Sequence, residues 1–298
     1  MKIAIAGGSG FVGKALTTEL LLQKHEVYIL SRRALQEQKV DGLTYVNWLG
    51  ANDRPELQLE GVEVFINLAG ESLSSGRWTS ARKKQIVDSR LTAAREIKRI
   101  IAALDTKPSV LLNASAIGYY GTSSEEIYTE SAIKRPSDFL SDTVDRWEKE
   151  ASDAGVRTVF MRFGVILGDK EGALPRMLLP YKLFGGGTVG SGRQVLSWIH
   201  IQDVVRAAIY CIEHHALSGA VNFTAPNPVN MNAFGSTIGK MLKRPHWLPV
   251  PAFMLKLLLG EMSVLVLEGQ TVLPERLIQH GYSFAYPELE DSLRSLLA

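Results

Sequence analysis

Short apolar runs alternate with stretches of helical period along the first half of the chain. The opening segment, KIAIAGGSGFVG (2–13), begins with four apolar residues at 3–6, which predict a buried strand. A glycine turn follows, then a helix over 11–23 and a second strand over 26–30. Further strands are predicted near 43–48 and at 62–68, 109–114 and 157–163. Between them, 79–104 keeps Ile86, Ala93, Ile97 and the pair Ile100-Ile101 on a helical period, and another helix is expected over 137–154. Alternation of this kind up to about residue 165 predicts an α/β, doubly wound parallel sheet with helices on both faces.

Beyond that point the alternation weakens. Gly185-Gly186-Gly187 and Gly190-Ser191-Gly192 bracket a mobile or tightly turned loop, and an apolar run follows at 195–201. Gln202 and Asp203 open a helix to about Glu213, 220–223 reads as a short strand, and the remainder is mostly helical. Prolines at 226, 228, 245, 249 and 251 mark its connections. The expected organisation is one domain over 1–224 and a smaller, mostly helical lobe over 225–298. The 170–195 loop should contribute to the cleft between them.

With 46% of its 298 residues hydrophobic, the chain can bury a sizeable core. A net charge of +2, spread along the chain, gives no nucleic-acid signal, and Arg82-Lys83-Lys84 reads as the wet face of a helix. The single cysteine, Cys211, excludes a disulfide framework and a cysteine metal site and suits a reducing compartment. The six histidines show no metal-binding spacing. The most membrane-like stretch, 248–267, carries Lys256, Gly260 and Glu261, so a buried or interface helix is expected there. The N-terminal apolar run is too short for a signal peptide. The expectation is a soluble, cytoplasmic protein with a small-molecule substrate and neither nucleic-acid nor membrane partners. Self-association, as a homo-oligomer, is left open.

The candidate chemistry begins at the glycine turn. Gly7, Gly10 and Gly13 have the G-x-x-G-x-x-G spacing between strand and helix that suits a tight turn, close approach to a pyrophosphate and close helix packing. The helix N-terminus adds free N–H groups and a partial positive charge, so a dinucleotide is the expected ligand. At the end of the second strand the chain reads Ser31-Arg32-Arg33, where an acid would select NAD; a hydroxyl and guanidinium favour the 2′-phosphate of NADP. The alternative is two solvated arginines. Asn67-Leu68-Ala69-Gly70-Glu71 ends the fourth strand in small residues against which a ribose could lie, or simply turns. Arg90 could reach a phosphate or make a surface ion pair. Ser115 and the residues to Gly121 follow the fifth strand, at the crevice where such sheets bind ligands.

Together these segments resemble an extended or atypical short-chain dehydrogenase/reductase with a Rossmann-type fold. More narrowly, they resemble the branch labelled nucleoside-diphosphate-sugar epimerases. The resemblance rests on AGGSGFVG (6–13), NLAGE (67–71), GRWTSARK (76–83), DSR (88–90), SAIGYYG (115–121) and DFLSDTVDRWE (138–148). It continues through RFGVILG (162–168) and GSGRQVLSWIHIQD (190–203) into 260–289, which is similar to the small C-terminal domain of unknown function marking this branch. It implies that Gly7, Gly10, Phe11 and Val12 hold the pyrophosphate, and Ser31 with Arg32 the 2′-phosphate. It also implies that Leu68 and Ala69 line the adenosine ribose, that Gln85, Arg90 and Ile166 close over the cofactor, and that Arg193 meets a substrate diphosphate.

The chain departs from that family in one respect. No tyrosine has a lysine four residues later; Tyr28 is followed at that offset by Arg32, and the expected segment carries Phe139, which cannot transfer a proton. The usual serine position aligns with Ala116, leaving Ser115 one residue early. Ser115 and Tyr119 are then the candidate proton-transfer residues of an NADP-dependent oxidoreductase or epimerase-like enzyme. The rival expectation is a non-catalytic NADP(H) sensor or scaffold. A serine hydrolase is disfavoured, since no G-x-S-x-G elbow occurs.

Overall fold

In the opening segment, Ile3 and Ile5 point to one face of a sheet and Ala4 and Ala6 to the other, and all four are buried. A strand apolar on both faces belongs in the middle of a covered parallel sheet, and that is where it lies. A computed structural model describes residues 1–32, 40–133 and 137–297. Its sheet comprises Lys2–Ala6 (β1), Glu26–Ser31 (β2), Leu43–Asn47 (β3), Val64–Asn67 (β4), Val110–Ala116 (β5), Arg157–Phe163 (β6) and Gly219–Phe223 (β7). The order is β7-β6-β5-β4-β1-β2-β3, with every pairing parallel. The order reverses between β1 and β4, so the carboxyl ends of these two strands open the crevice in which such sheets bind ligands.

Helices cover both faces. Phe11–Leu22 (α1) buries Leu16 and Leu20 against Ile3 and Ile5, while Ser80–Ala103 (α2) buries Ile97 and Ile100 against the other face. Thr79 caps α2 by accepting the Arg82 N–H at 3.2 Å. Phe139–Ser152 (α3) packs beside α2 and carries a capping box between Asp138 and Ser141. Among the described residues no helix is long and apolar enough to cross a membrane.

The smaller C-terminal region is helical and has its own core. Leu174–Lys182 (α4) forms where the sequence suggested a loop; Pro175 starts it, at a position whose missing N–H removes no helical hydrogen bond. Ile201–Glu213 (α5) returns to the main sheet, and Met231–Leu242 (α6) and Ala252–Leu259 (α7) follow. Leu174, Leu178, Trp198, Phe234 and Ile238 pack together with Leu289 and Leu293 of the last helix, Leu289–Leu297 (α8). Buried Asp203 ties the C-terminal segment to α5: it accepts hydrogen bonds from the Ala285 and Tyr286 N–H groups at 2.8 and 2.9 Å and from the Tyr282 hydroxyl at 3.1 Å.

Two other departures matter for the site. β5 runs beyond the predicted end at 114, because Ser115 and Ala116 still pair with Arg162 and Phe163. Within the acidic loop, Ile127–Tyr128 pairs in parallel with Thr271–Val272, a contact across more than a hundred residues.

Candidate functional site

The glycine turn is built as a cradle. Gly7 has φ +81°, and a Cβ there would lie 2.8 Å from the Leu68 carbonyl carbon. At Gly13 a Cβ would lie 2.3 Å from the Gly7 oxygen and 2.6 Å from the Gly8 Cα. Real side chains do not tolerate such approaches, so both positions are reserved for glycine by packing alone. Gly10 closes the turn by donating its N–H to the Gly7 oxygen at 3.0 Å and then stands as the N-cap of α1 with no side chain capping it. The first-turn N–H groups around Phe11, Val12 and Gly13 are left to a ligand, and a pyrophosphate is the anion such an end suits.

Asn67 at the end of β4 and Asn113, its register partner within β5, are both fully buried. Asn67 donates to the Asn113 side-chain oxygen at 2.7 Å and accepts the Ala69 N–H at 3.1 Å, which shapes the backbone where Leu68 approaches Gly7. Asn113 carried no signal of its own in the sequence, since it sits inside an apolar run.

A cleft of about 530 Å³ opens from the turn across the carboxyl ends of the strands to the segment Val264–Gln270. Gly7, Gly10, Phe11, Val12, Gly13 and Leu68 line it, as do Arg90 and Ser115. Arg90 reaches in from α2, its Nη1 donating to the carbonyls of Glu71 and Ile86 at 3.0 and 2.9 Å. Burial lowers its pKa to about 10, so it stays charged at neutral pH. Ser31, half-buried, ends β2, and exposed Arg32 follows it; Arg33 lies outside the described residues.

Other sequence candidates stand away from the lining. Gln85 is exposed and accepts from Arg82 at 3.2 Å. Ala69 borders the turn without lining the cleft. Ile166 pairs with Ile199 and packs on the main core. Arg193 is exposed, and Tyr119 is also absent from the lining.

At the far end the hydroxyl of Ser115, 2% exposed, donates to Glu148 Oε1 at 2.5 Å. Arg162 grips the same carboxylate with Nε at 2.8 Å and Nη2 at 2.7 Å, and its Nη1 donates to the Tyr120 hydroxyl at 3.0 Å. Tyr120 in turn donates to Asn222 at 2.8 Å. Burial alone would lower the Arg162 pKa, but the hydrogen bonds and charge of Glu148 outweigh it and hold the guanidinium above its usual range. The Tyr119 ring covers this guanidinium at 3.5 Å. Phe139, at the tyrosine position of the resembled family, packs edge-on against Trp78 at 5.2 Å. The position four residues later is Thr143, which lines the cleft.

Glu148, Arg162 and Trp147 escaped the sequence reading. Trp147 lines the cleft, is 5% exposed, and its indole N–H has no partner among the described residues. A buried donor without a partner is uncommon and costly, which marks this part of the cleft wall.

Comparison with known proteins adds the lineage. The NAD dependent epimerase/dehydratase family matches residues 3–223, and a domain of unknown function (DUF1731) matches residues 250–296. The epimerase family protein YfhF of Bacillus subtilis is 50% identical over 301 residues, spanning 100% of this chain and 98% of that protein. A crystal structure of the human epimerase family protein SDR39U1 with NADPH superposes with a TM-score of 0.89 at 31% identity, over 99% of both chains. The nucleoside-diphosphate sugar epimerase from Corynebacterium glutamicum has a TM-score of 0.78 at 29% identity, over 100% of this chain and 58% of that one. Matched through its entire sheet and half identical to a relative of the same length, the chain belongs to the NAD dependent epimerase/dehydratase family.

Proposed function

We propose that this protein is an NADP(H)-dependent oxidoreductase or epimerase-like enzyme in which Ser115, backed by Glu148, stands in for the missing tyrosine–lysine pair. The observation that carries the reading is the buried Ser115–Glu148 contact in the wall of the cleft that the glycine cradle opens, with Ser115 in the lining and Glu148 behind it. The cradle fits a dinucleotide, because the space that Cβ atoms at Gly7 and Gly13 would fill is left to backbone and ligand. Leu68 and Arg90 would flank the cofactor, and Ser31 with Arg32 would meet a 2′-phosphate; the human relative solved with NADPH supports that choice over NAD. When bound, the nicotinamide supplies the hydride chemistry.

A serine hydroxyl has one proton and two acceptor sites. That of Ser115 is committed to Glu148, so what it offers the cleft is acceptor capacity: a substrate hydroxyl would donate to Ser115 as the serine proton moves toward the carboxylate. Tyr119 supports this unit by covering Arg162.

The substrate is a small carbonyl or hydroxyl compound without a diphosphate. Among the described cleft-lining residues Arg90 is the one cation, against the two acids Asp138 and Glu268, and Arg193 does not line the cleft. Nucleotide-sugar recognition would need further positive charge there.

The test is NADPH oxidation followed at 340 nm with simple aldehydes and ketones on one side and uridine-diphosphate sugars on the other. Ser115→Ala should slow the reverse reaction, NADP reduction by the corresponding alcohols, by about a hundredfold or more at unchanged NADPH affinity. Turnover with the nucleotide sugars alone would refute the substrate class. Tight NADPH binding with no oxidation across the panel would favour a sensor.

A further inference from the structure

A second cavity, of about 230 Å³, lies under α7 in the C-terminal region and takes no part in the dinucleotide cleft. Met177 and Pro180 of α4, Phe234 and Ile238 of α6, and Leu255 and Leu259 of α7 supply its walls. Apart from Arg176, the polar side-chain group in this lining is the Tyr181 hydroxyl, 2.8 Å from His246 Nδ1 and so already spoken for. Burial pushes its pKa up to about 12, so the phenol stays neutral. A water in such a space would lack the two to four polar partners that hold one. The pocket is therefore a poor site for ordered water, and what it can stabilise is hydrocarbon.

One charge stands at its edge. Arg176 lines the cavity, is exposed, and makes no ion pair or hydrogen bond among the described residues. An apolar interior beside a single free guanidinium is complementary to a chain that is greasy at one end and negative at the other.

We propose that this cavity binds the hydrocarbon chain of a small amphipathic anion of the fatty-carboxylate kind, with Arg176 meeting its head group. At about 30 Å³ per group, the share of volume a water takes in the liquid, the space holds seven or eight chain carbons. Octanoate fits that length. The site backs onto the cleft. Leu255, Leu259 and Val266 line the cavity, while neighbouring Val264, Leu265 and Glu268 line the cleft, so one short segment walls both. Gln194 fastens that wall, donating to the carbonyls of Val189 and Val266 at 3.0 and 2.9 Å.

The exposed side of α7 is apolar too: Phe253, Met254, Leu257 and Leu258 are each more than half exposed. That face is a weaker guide, because an open surface does not select chain length and a concave pocket of limited volume does.

The experiment is calorimetric titration of the full chain with butanoate, hexanoate, octanoate and decanoate. Expected is saturable one-to-one binding that tightens about fourfold per added methylene up to octanoate and then levels off. Octan-1-ol should bind about twofold to fivefold more weakly than octanoate, and Arg176→Gln should abolish that difference. Leu255→Trp, which fills the cavity from its half-exposed wall, should remove octanoate binding while leaving the circular dichroism spectrum and NADPH affinity unchanged. Affinity independent of chain length, or octanoate binding undiminished in folded Leu255→Trp, overturns the proposal. So does co-sedimentation with phosphatidylglycerol vesicles in the absence of octanoate binding, which would assign the lobe to a membrane lipid surface. Self-association abolished by Leu257→Asp, again without octanoate binding, would assign it to a second copy and equally overturn the proposal.

Discussion

Replacing Arg162 by Met tests whether the far end of the cleft is held by a buried ion pair. The Arg162 and Glu148 side chains are 5% and 11% exposed, and the guanidinium makes two hydrogen bonds to the carboxylate at 2.8 and 2.7 Å. Arg162→Met leaves a buried carboxylate with Ser115 as its remaining hydrogen-bond donor. Breaking a buried pair from one side typically costs about 3–5 kcal/mol. An unfolding entropy of about 2.1 cal/mol/K per residue, over 298 residues, comes to about 0.6 kcal/mol/K. The melting temperature should therefore fall by about 5–8 °C in differential scanning calorimetry at pH 7. The decisive arm is Arg162→Met with Glu148→Leu, which removes both charges. Because two apolar groups can replace a buried pair at little cost, the double variant should lose at least about 2 kcal/mol less than the sum of the singles. A single-variant shift under about 2 °C, or strict additivity in the cycle, would refute the view of these residues as one desolvated unit.

Three other outcomes follow from the same coordinates. Gly13→Ala would press a Cβ to 2.3 Å from the Gly7 oxygen, so NADPH affinity by fluorescence titration should fall at least about tenfold, and a loss under twofold would show the turn is not the cradle. Burial lowers the His200 pKa to about 4, against the pull of Asp203, whereas an unfolded histidine titrates near about 6.5. The unfolded chain then binds more protons between those values, so urea stability should drop by up to about 3 kcal/mol as pH falls from about 6.5 to about 4. His200→Asn, which keeps an acceptor for the Gln202 N–H, should flatten that part of the profile. Burial also pushes the Cys211 thiol up to about 12, so it should resist a disulfide reagent at pH 8 until denaturant is added; rapid labelling of the native chain would contradict its placement.

What could be seen from the residues alone was local. Gly7, Gly10 and Gly13 act within one strand–turn–helix unit, and their reasons, a positive φ and two forbidden Cβ positions, are set by chain neighbours and by the adjacent Leu68 backbone. The central strands were legible because both of their faces are apolar. Contacts between distant segments were not. Nothing near Ile127 announces a partner at Thr271, and the pairing of Ser115 with Arg162 that lengthens β5 depends on β6. The stretch 170–195 reads as a loop, yet packing of Leu174, Leu178 and Tyr181 forms a helix within it. Charged residues were the hardest to place from the residues alone: Arg193, expected to meet a substrate diphosphate, is exposed, whereas Arg162, which follows the apolar run 159–161 of its strand, is buried and fully engaged.

The extension of β5 links these observations to the chemistry. Were the strand to stop at Ala114, Ser115 would begin a loop and its hydroxyl would be free to turn. Pairing through Ala116 instead keeps Ser115 in extended backbone, opposite Arg162, within 2.5 Å of a carboxylate offered by α3. A hydroxyl so held cannot also donate its proton into the cleft. On the proposed reading, the unit is therefore set to take a proton from a substrate hydroxyl, and a carbonyl would have to find its hydrogen-bond donor elsewhere. The indole N–H of Trp147, one residue before Glu148 on the same helix, has no partner among the described residues, but it is buried, so it would serve as such a donor only if the ring turned toward the cleft.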